Sequence, residues 1–392
     1  MPGLTQEGRL TRATPARVAA ARVLIEVEDG AHAEDRVADV PVASRAAAWA
    51  MVFGVLRRRG QVDAILRTAL AQPLGGLDAP VRAALRLGAW ERWIDGRSAH
   101  AAVDQAVEVV RALGGGRASG LVNGVLRRAS PPETMGASDL ANLPEWLWER
   151  WSARWPDAAA RADRAAEPAP LTTVFQAGSP WPDEVSPTEV PGVGRWSSGG
   201  RVADKPGFAE GAWWVADLAA VAVADLVEGE RVLDACAAPG GKSFRLTARG
   251  ARVTAVDRAD RLERLREGQR RLRMSFDVVA HDWTRGPAAL GKFDAVLVDA
   301  PCSGLGTLRR HPEIKWRRDP WELPELARRQ ATVVSAAAHH VGPRGQLVVA
   351  VCSLEPEETK RPVPTGFVVE REWRTPDSWD ADGHAATVYR RI

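Results

Sequence analysis

The chain has 392 residues, 45% of them hydrophobic and 26% charged, which is long enough for two or three domains with separate cores. No apolar run of about 18 residues is present, which argues against a transmembrane helix. The first residues carry Glu7, Arg9 and Arg12 without an apolar core, which argues against a secretory signal. Three cysteines are too few and too widely spaced for a disulfide framework or a structural zinc site. We therefore expect a cytoplasmic protein without a metal or a membrane partner.

The charge balance allows two interpretations. The net charge is +3, the pI is about 9.0, and the basic side chains are nearly all arginine. Arginine suits a nucleic-acid partner, because its planar fork binds phosphate bidentately and stacks on bases. The alternative is the composition of a GC-rich genome, which also enriches alanine and proline. Charge alone does not decide between the two.

Residues 14–130 show a helical pattern. Apolar side chains recur with the 3.6-residue period at Val103, Ala106, Val107 and Val110. Ser98 precedes that run as a candidate N-cap, and a second helix is predicted over 44–59. No strand-like alternation interrupts this half, so we expect an all-helical domain over 1–130.

A break follows the helical half. Two consecutive prolines at 131 and 132 disfavour helix and indicate a linker. A tryptophan-rich helical segment extends to about residue 166, and a proline- and glycine-rich stretch follows. We expect a linker and a small α+β connector over 131–210, and a further domain over 211–392.

The C-terminal part alternates short apolar strands with helices, which predicts a parallel, doubly wound α/β sheet of the Rossmann type. The strand candidates are Arg231–Asp234, Arg252–Asp257, 278–281, Phe293–Asp299 and 346–352. Ligands of such sheets bind beyond the carboxyl ends of the strands. Side chains that can carry chemistry stand at or just past those ends: Asp234, Asp257, Asp282, Asp299 and Cys352.

The turn over 234–242 reads DACAAPGGK and resembles a cofactor loop. Its small residues allow close backbone approach, and the following helix presents free N–H groups. It is neither a dinucleotide fingerprint nor a phosphate-binding P-loop. Asp257 suits ribose hydroxyls, and Asp282 suits an adenine ring or amino group. The alternative is a tight strand-to-helix connection.

Two further motifs carry cysteines, Cys302 after Asp299-Ala300-Pro301 and Cys352 before Ser353-Leu354. A thiolate can add to C6 of a pyrimidine, and the resulting enamine can attack a sulfonium methyl through C5. A carboxyl group at Asp299 can hydrogen-bond N3 of a cytosine and hold it protonated, which makes C6 more electrophilic. The alternative is that both cysteines are buried small hydrophobes. The residues alone do not assign separate roles to the two thiols.

These motifs resemble a known family. The run over 299–316, DAPCSGLGTLRRHPEIKW, is similar to the fourth motif of RNA cytosine-5 methyltransferases, and its tail resembles the bacterial 16S rRNA methyltransferase B (Sun/Fmu) family. Residues 234–242 match that family's cofactor loop. The run over 121–128, LVNGVLRR, resembles its NusB-like RNA-binding domain. The likeness therefore covers almost the whole chain.

The resemblance implies a fold, a cofactor and roles. It implies a NusB-like helical domain, a connector, and a C-terminal methyltransferase domain that uses S-adenosylmethionine and releases S-adenosylhomocysteine. Cys352 would be the nucleophile and Cys302 would assist product release, whereas DNA cytosine methyltransferases use the proline–cysteine pair for attack. The implied cofactor contacts are Cys236, Ala237, Ala238, Pro239, Gly240, Gly241, Lys242, Asp257, Asp282 and Asp299.

Several positions depart from the family pattern. Val351 stands where the family has threonine, and Thr359 where asparagine is common. A glutamine–aspartate–glutamate run survives only as Asp217, and the segment over 360–367 is short and proline-rich. These departures concern the substrate side more than the cofactor side.

The expected partner is RNA, with small-subunit rRNA favoured by the NusB-like half. Candidate RNA-binding residues follow the first cysteine: Arg309, Arg310, Lys315 and Trp316. The alternative for this segment is a solvated charged loop, and His311 lacks a second ligand at metal spacing. Rival functions are a cytosine-5 methyltransferase acting on another RNA such as tRNA, and a noncatalytic RNA-binding or assembly factor. No coiled-coil seam is present, so we expect a monomer.

Overall fold

The computed structural model describes residues 13–392 and divides into two compact units. The first unit extends to Pro168 and includes the distant segment Leu308–Arg318, and the second comprises Ala169–Thr307 and Asp319–Ile392. Residues 131–168 therefore belong with the helical unit, and the strands of the expected connector belong with the sheet unit. Glu7, Arg9 and Arg12, on which the expectation about a secretory signal rests, lie outside the described residues. No helix within 13–392 is long and apolar enough to cross a membrane.

The first unit is helical, as predicted. Its helices are α1 (Pro15–Glu28), α2 (Ala33–Ala38), α3 (Val42–Arg57), α4 (Arg59–Arg67), α5 (Ala79–Trp93), α6 (Ala99–Ala112), α7 (Ser119–Arg128), α8 (Ala137–Leu140), α9 (Glu145–Arg154) and α10 (Ala158–Ala166). The hydroxyl of Ser98 accepts a hydrogen bond from the Ala101 amide at 3.4 Å, so the predicted N-cap is confirmed. The helix predicted over 44–59 corresponds to α3, which ends at Arg57. The last predicted residue, Arg59, is the first residue of α4.

The second unit contains two sheets. The strands are β1 (Thr172–Phe175), β2 (Val185–Pro187), β3 (Val193–Trp196), β4 (Trp213–Val215), β5 (Arg231–Asp234), β6 (Arg252–Asp257), β7 (Asp277–Ala280), β8 (Phe293–Asp299), β9 (Val341–Val351), β10 (Phe367–Arg374) and β11 (Ala385–Arg391). Strands β1 to β4 form a small antiparallel sheet in the order β2-β3-β1-β4.

The larger sheet has seven strands in the order β10-β11-β9-β8-β5-β6-β7. Strands β5 to β9 are parallel to one another. Strand β11 pairs with β9 in the antiparallel direction, and β10 pairs antiparallel with β11. The expected parallel sheet is therefore mixed, because the chain returns through a hairpin that the apolar pattern did not reveal. The helices that accompany it are α11 (Leu218–Asp225), α12 (Gly241–Ala248), α13 (Leu262–Leu272), α15 (Glu322–Ala338) and α16 (Pro356–Thr359).

The parallel strands explain why the polar residues converge. Apolar side chains fill both faces of β8 and β9, so each strand can expose a polar group only where it ends. All five parallel strands end at the same edge, and the residues that follow them lie along it.

The segment Leu308–Arg318 contains helix α14 (Ile314–Arg317) and packs on the helical unit. The Trp316 indole donates a hydrogen bond to the Leu56 carbonyl at 2.7 Å, and Arg317 donates to the Ala31 carbonyl at 2.7 Å. The Lys315 ammonium is fully buried and donates to the Arg57 carbonyl at 3.3 Å. These contacts with main-chain carbonyls fix the segment to the helices.

We predict that Lys315→Met changes how stability depends on pH. Burial, reinforced by the nearby charges of Arg57 and Arg58, lowers the pKa of Lys315 to about 7. The folded protein then holds fewer protons than the unfolded chain between pH 7 and the ordinary lysine pKa, so this residue makes wild-type stability rise with pH there. Urea unfolding of the full chain at pH 7 and pH 9 should show a gain for wild type relative to Lys315→Met. An identical pH dependence of the two proteins would contradict the prediction.

Candidate active site

The two motif cysteines meet at the carboxyl edge of the large sheet. Cys302 lies three residues beyond the end of β8, and Cys352 is the first residue after β9. Because β8 and β9 are adjacent parallel strands, residues separated by 50 positions in sequence become neighbours. Their sulfur atoms lie 3.1 Å apart, within hydrogen-bonding distance, and both side chains are free thiols with partial exposure.

A partly buried ion pair lies at the same edge. The Lys242 ammonium, from the first turn of α12, is 2.7 Å from Oδ2 of Asp299, the last residue of β8. Burial alone would lower the pKa of Lys242, but the carboxylates of Asp299 and Asp234 outweigh it and raise that pKa. Lys242 is therefore a permanent cation beside the thiols, and it keeps Asp299 oriented.

The thiol of Cys352 is held protonated in the resting site. Its hydrogen bond with Cys302, its burial and the nearby charge of Asp299 all raise the pKa of Cys352, while the charge of Lys242 acts to lower it. Cys236, in the loop after β5, also has a raised pKa, chiefly through burial and then through the carboxylates of Asp257 and Asp299. The sulfur–sulfur contact of 3.1 Å joins Cys302 and Cys352, so the arrangement favours thiol chemistry at that pair.

A fully buried carboxylate fixes the loop that carries Cys302. Glu358 accepts from the Ser303 amide at 2.7 Å and from the Ser303 hydroxyl at 2.5 Å, and the Gln330 amide donates to it at 3.0 Å. The Ser303 hydroxyl also lies 3.3 Å from that of Ser353, next to Cys352. This network joins the residues that follow the two cysteines, which limits the freedom of both thiols. Sequence analysis missed it, although serine after each cysteine was a visible signal.

Gly306 joins three segments of the site at their backbones. Its amide donates to the Cys352 carbonyl at 3.0 Å, and its carbonyl accepts from the Gly383 amide at 2.8 Å. A Cβ atom on Gly306 would stand 1.8 Å from the Gly383 carbonyl oxygen and 2.9 Å from that of Cys352. Only glycine therefore fits between the loop after Cys302 and the chain before β11.

The loop after β5 and the ends of β6 and β8 fit the expected cofactor. The carboxylate of Asp257 accepts from the Ala238 amide at 2.9 Å and from the Arg258 amide at 2.8 Å, which ties the loop to the end of β6. Gly240 has φ 118° and a Cβ there would lie 2.5 Å from the Phe244 ring, whereas a Cβ on Gly241 would meet open space. The loop thus leaves room above the first turn of α12, with the Asp257 and Asp299 carboxylates on its flanks as acceptors.

Asp282 lies at the end of β7, on the same edge, and holds its own turn. Its carboxylate accepts from the Thr284 amide at 3.0 Å and from the Thr284 hydroxyl at 2.7 Å. These hydrogen bonds lower the pKa of Asp282, so it is ionised and able to accept a donor from a ligand. Its contact with an adenine ring stays a prediction.

Asp234 is the one fully buried carboxyl group of the cofactor loop that has an unsatisfied oxygen. Its Oδ2 accepts from the Ser243 hydroxyl at 2.6 Å, while Oδ1 has no hydrogen-bond partner among residues 13–392. Burial raises the pKa of Asp234 to about 7, although Ser243 and Lys242 oppose the shift. A protonated Asp234 is therefore compatible with its surroundings near neutral pH.

The four predicted RNA-binding residues divide between two environments. Lys315 is completely buried and Trp316 is bonded to the helical unit, so both have structural roles that sequence analysis did not foresee. Arg309 and Arg310 are half-buried, and Arg309 donates to the Pro168 carbonyl at 2.9 Å. The hydrogen bond of the buried Lys315 ammonium to the Arg57 carbonyl gives that residue a packing role in place of the predicted RNA contact, and contact through Arg309 and Arg310 stays a prediction.

Asp217, the residue that survives from the expected run, and Val351, a departure from the expected pattern, have defined structural roles. Asp217 caps α11 by accepting from the Ala219 amide at 2.9 Å, and it also accepts from the Asp382 amide at 3.1 Å. Val351 is fully buried in the core at the end of β9, where an apolar side chain is well accommodated. Helix α16 makes a single turn before the proline-rich segment over 360–367.

Comparison with known proteins agrees with this architecture in both units. Residues 221–379 match the family model described as 16S rRNA methyltransferase RsmB/F. Residues 14–131 match the NusB family.

Two relatives match over most of their length. The ribosomal RNA small subunit methyltransferase B of Xanthomonas campestris is 36% identical over 405 residues, covering 96% of this chain and 92% of the relative. That of Thermus thermophilus is 37% identical over 358 residues, covering 88% and 86%. The crystal structure of PH0851 aligns with a TM-score of 0.80 at 19% identity over 96% of this chain and 99% of the other, which shows a shared fold.

We predict that Gly306→Ala disrupts the site. The added methyl group must displace the carbonyl of Gly383 or of Cys352, and overpacking of this kind costs about 1–3 kcal/mol. Gly291→Ala is the matched control, because a Cβ there meets nothing within 4 Å. Chemical denaturation should show a loss of stability for Gly306→Ala alone, and equal stability of the two variants would contradict the close packing.

We also predict that Asp234→Asn removes a pH-dependent loss of stability. With its pKa raised to about 7 in the folded state, well above the ordinary range of an aspartic acid, Asp234 favours the folded state most at low pH, and this contribution is lost as the pH rises toward 7. Asparagine keeps a polar group for Ser243 and cannot ionise. The unfolding midpoint of wild type should therefore fall relative to that of the variant between pH 5 and pH 8. A constant difference across that range would contradict a raised pKa.

Proposed function

The chain belongs to the 16S rRNA methyltransferase RsmB/F family, and we propose that it methylates C5 of a cytosine in 16S rRNA through a covalent cysteine–C6 adduct. Members of this family are S-adenosylmethionine-dependent RNA methyltransferases, so the cofactor supplies an electrophilic methyl group on a sulfonium. The covalent route and the rRNA substrate of this particular chain are the proposed part.

One observation carries the covalent route: two thiols 3.1 Å apart beside a lysine–aspartate ion pair. C5 of cytosine is a poor nucleophile until a group adds at C6, and a cysteine thiolate is well suited to that addition. Methylation then leaves a proton on C5 that a base must remove. Two neighbouring thiols supply a nucleophile and a base, whereas methylation of an exocyclic amine or a hydroxyl would need neither.

The proposed steps balance in atoms and charge once the Cys302 and Cys352 thiols have each given their proton to solvent. The Cys352 thiolate forms a bond to C6, and the electron pair of the C5–C6 double bond takes the methyl group at C5, while the methyl–sulfur bond of the sulfonium breaks and S-adenosylhomocysteine leaves. Cys302, as thiolate, accepts the C5 proton, the double bond re-forms, and the bond from C6 to the Cys352 sulfur breaks. Cys352 leaves as thiolate, and methylated cytosine is released.

The ion pair prepares the site for this reaction. The Asp299 carboxylate can accept a hydrogen bond from N3 of the base and hold N3 protonated, which draws electrons from C6, and Lys242 holds that carboxylate in place at 2.7 Å. The positive charge of Lys242 also favours the thiolate form of Cys352. The target base must leave its stack to reach the sulfur.

The RNA substrate is inferred from the relatives and from the helical unit. Both relatives are called small subunit rRNA methyltransferases, and the NusB match covers the helical half. Arg309 and Arg310 follow the cysteine motif and supply positive charge for a phosphate backbone. This activity would take place in the cytoplasm, where ribosomal subunits are made.

We predict that Cys352→Ala abolishes methyl transfer and leaves cofactor affinity within about threefold of wild type, because Cys352 contributes to the reaction rather than to the cofactor loop. The measurement is transfer of labelled methyl from S-adenosylmethionine to naked 16S rRNA, with bisulfite mapping of the product. Cofactor affinity is measured separately by calorimetry. A parallel loss of transfer and of cofactor binding would contradict the assigned role.

The companion variant assigns separate roles to the two thiols. Cys302→Ala should form the covalent RNA adduct and fail to release it, which gives a slower-migrating band in denaturing electrophoresis. An adduct that disappears in Cys302→Ala and persists in Cys352→Ala would reverse the roles. Methylation of tRNA but not rRNA would change the substrate, and binding of RNA without any transfer would favour a noncatalytic factor.

A further inference from the structure

A buried histidine completes a row of functional side chains along the edge of the sheet. Leu297, Ala350 and Ala386 belong to one core cluster on adjacent strands β8, β9 and β11. Strand residues two positions apart point to the same face. The residues two positions closer to the site on these three strands are Asp299, Cys352 and His384. His384 therefore extends the row formed by Asp299 and Cys352.

The register of β11, continued by one residue, brings His384 to the level of the nucleophile of the proposed reaction. The antiparallel ladder ends with Ala385 paired with Val351, and the next residues along the two chains are His384 and Cys352. Directly opposed residues of antiparallel strands share a face.

The backbone around His384 is fixed from both sides. The Thr375 hydroxyl accepts from the His384 amide at 2.9 Å, and the Thr375 amide donates to the His384 carbonyl at 2.9 Å. Gly383 donates to Gly306 at 2.8 Å. Asp217 accepts from the Asp382 amide at 3.1 Å. The histidine is therefore held at a defined position, as groups that contact a substrate must be.

The imidazole is neutral and incompletely hydrogen-bonded. Only 4% of the residue is exposed, and Nδ1 has no hydrogen-bond partner among residues 13–392. Burial, reinforced by the charge of Lys242, lowers the pKa of His384 to about 4, although Asp217, Asp299 and a backbone hydrogen bond with Asp382 oppose the shift. A neutral imidazole carries one donor and one acceptor, and an unpaired ring nitrogen is costly to bury unless a ligand pairs with it.

We propose that His384 contacts the target cytosine and that its Nδ1 hydrogen-bonds the polar edge of the base when the ring lies against Cys352. The inference rests on the proposed function and adds a substrate contact to it. It makes His384 a determinant of base positioning in addition to the cysteines, Lys242 and Asp299.

The strand order favours the base over the cofactor as the partner of His384. The cofactor loop and Asp257 follow β5 and β6, which lie on one side of β8. Strand β11 lies on the other side, beyond β9. The row therefore extends from the cofactor side through Asp299 and Cys352 to His384. The target base is the ligand that must lie against Cys352, because the Cys352 sulfur bonds to it in the proposed reaction.

Three substitutions separate a hydrogen bond at Nδ1 from simple filling of space. His384→Asn keeps a polar atom close to the position of Nδ1, His384→Gln keeps one close to the position of Nε2, and His384→Phe fills the volume without either. The substrate is 16S rRNA carrying 5-fluorocytosine, because fluorine at C5 cannot leave as a cation and the covalent adduct accumulates. The readouts are the rate of adduct formation, the KM for RNA and the Kd for S-adenosylmethionine.

We expect His384→Phe and His384→Gln to slow adduct formation or raise the KM for RNA by about tenfold, the effect of one lost hydrogen bond of about 1.4 kcal/mol. His384→Asn should stay within about threefold of wild type, and cofactor affinity should not change in any variant. The proposal is overturned if His384→Asn is as impaired as His384→Phe, if all variants equal wild type, or if cofactor affinity falls in parallel. Should His384→Phe fail to fold, the Asn and Gln pair still decides. A wild-type protein that forms no adduct would instead refute the proposed function.

Discussion

The pairing of β8 with β9 is the constraint on which the site depends. These two parallel strands are buried on both faces, and the residues paired between them, such as Val298 and Val349, are about 50 positions apart in sequence. Their common edge brings Asp299, Cys302 and Cys352 into one place, with the sulfur atoms 3.1 Å apart. Every other element of the site acts on this pair: α12 supplies the cation, α16 supplies the carboxylate that holds the Cys302 loop, and the start of β11 closes the row.

Burial gives the site its chemical character. Desolvation acts against each charge there, so the charges that persist are paired: Lys242 with Asp299, and Glu358 with its amide and hydroxyl donors. Groups without such partners are shifted toward their neutral forms, as the raised pKa values of Cys352 and Asp234 and the lowered pKa of His384 indicate. The resting site therefore stores a protonated nucleophile beside a fixed cation. Formation of the Cys352 thiolate then depends on which group accepts the thiol proton.

The cysteine motif continues from the sheet unit into the helical unit. Residues up to Thr307 belong with the sheet, and the basic stretch after them packs on helices through main-chain carbonyls. Positive charge in a sequence motif suggested an RNA-facing loop, but Lys315 is completely buried and its pKa is lowered to about 7. A basic residue is a guide to a nucleic-acid surface only when its ammonium or guanidinium remains in solvent.

The sequence by itself determined the helical first half, the alternating strands and helices of the second, and the residues at the strand ends. Three of the five predicted strands match β5, β6 and β8 residue for residue, because periodicity and composition are local properties of the chain. The two thiols and the cofactor loop were also visible as motifs. Tertiary structure decided what depends on distant pairing: the antiparallel hairpin of β10 and β11, the Glu358 network, the fit of Gly306 and the burial of Lys315. His384 belongs with these, since its place beside Cys352 follows from the register of β11, which no local pattern encodes.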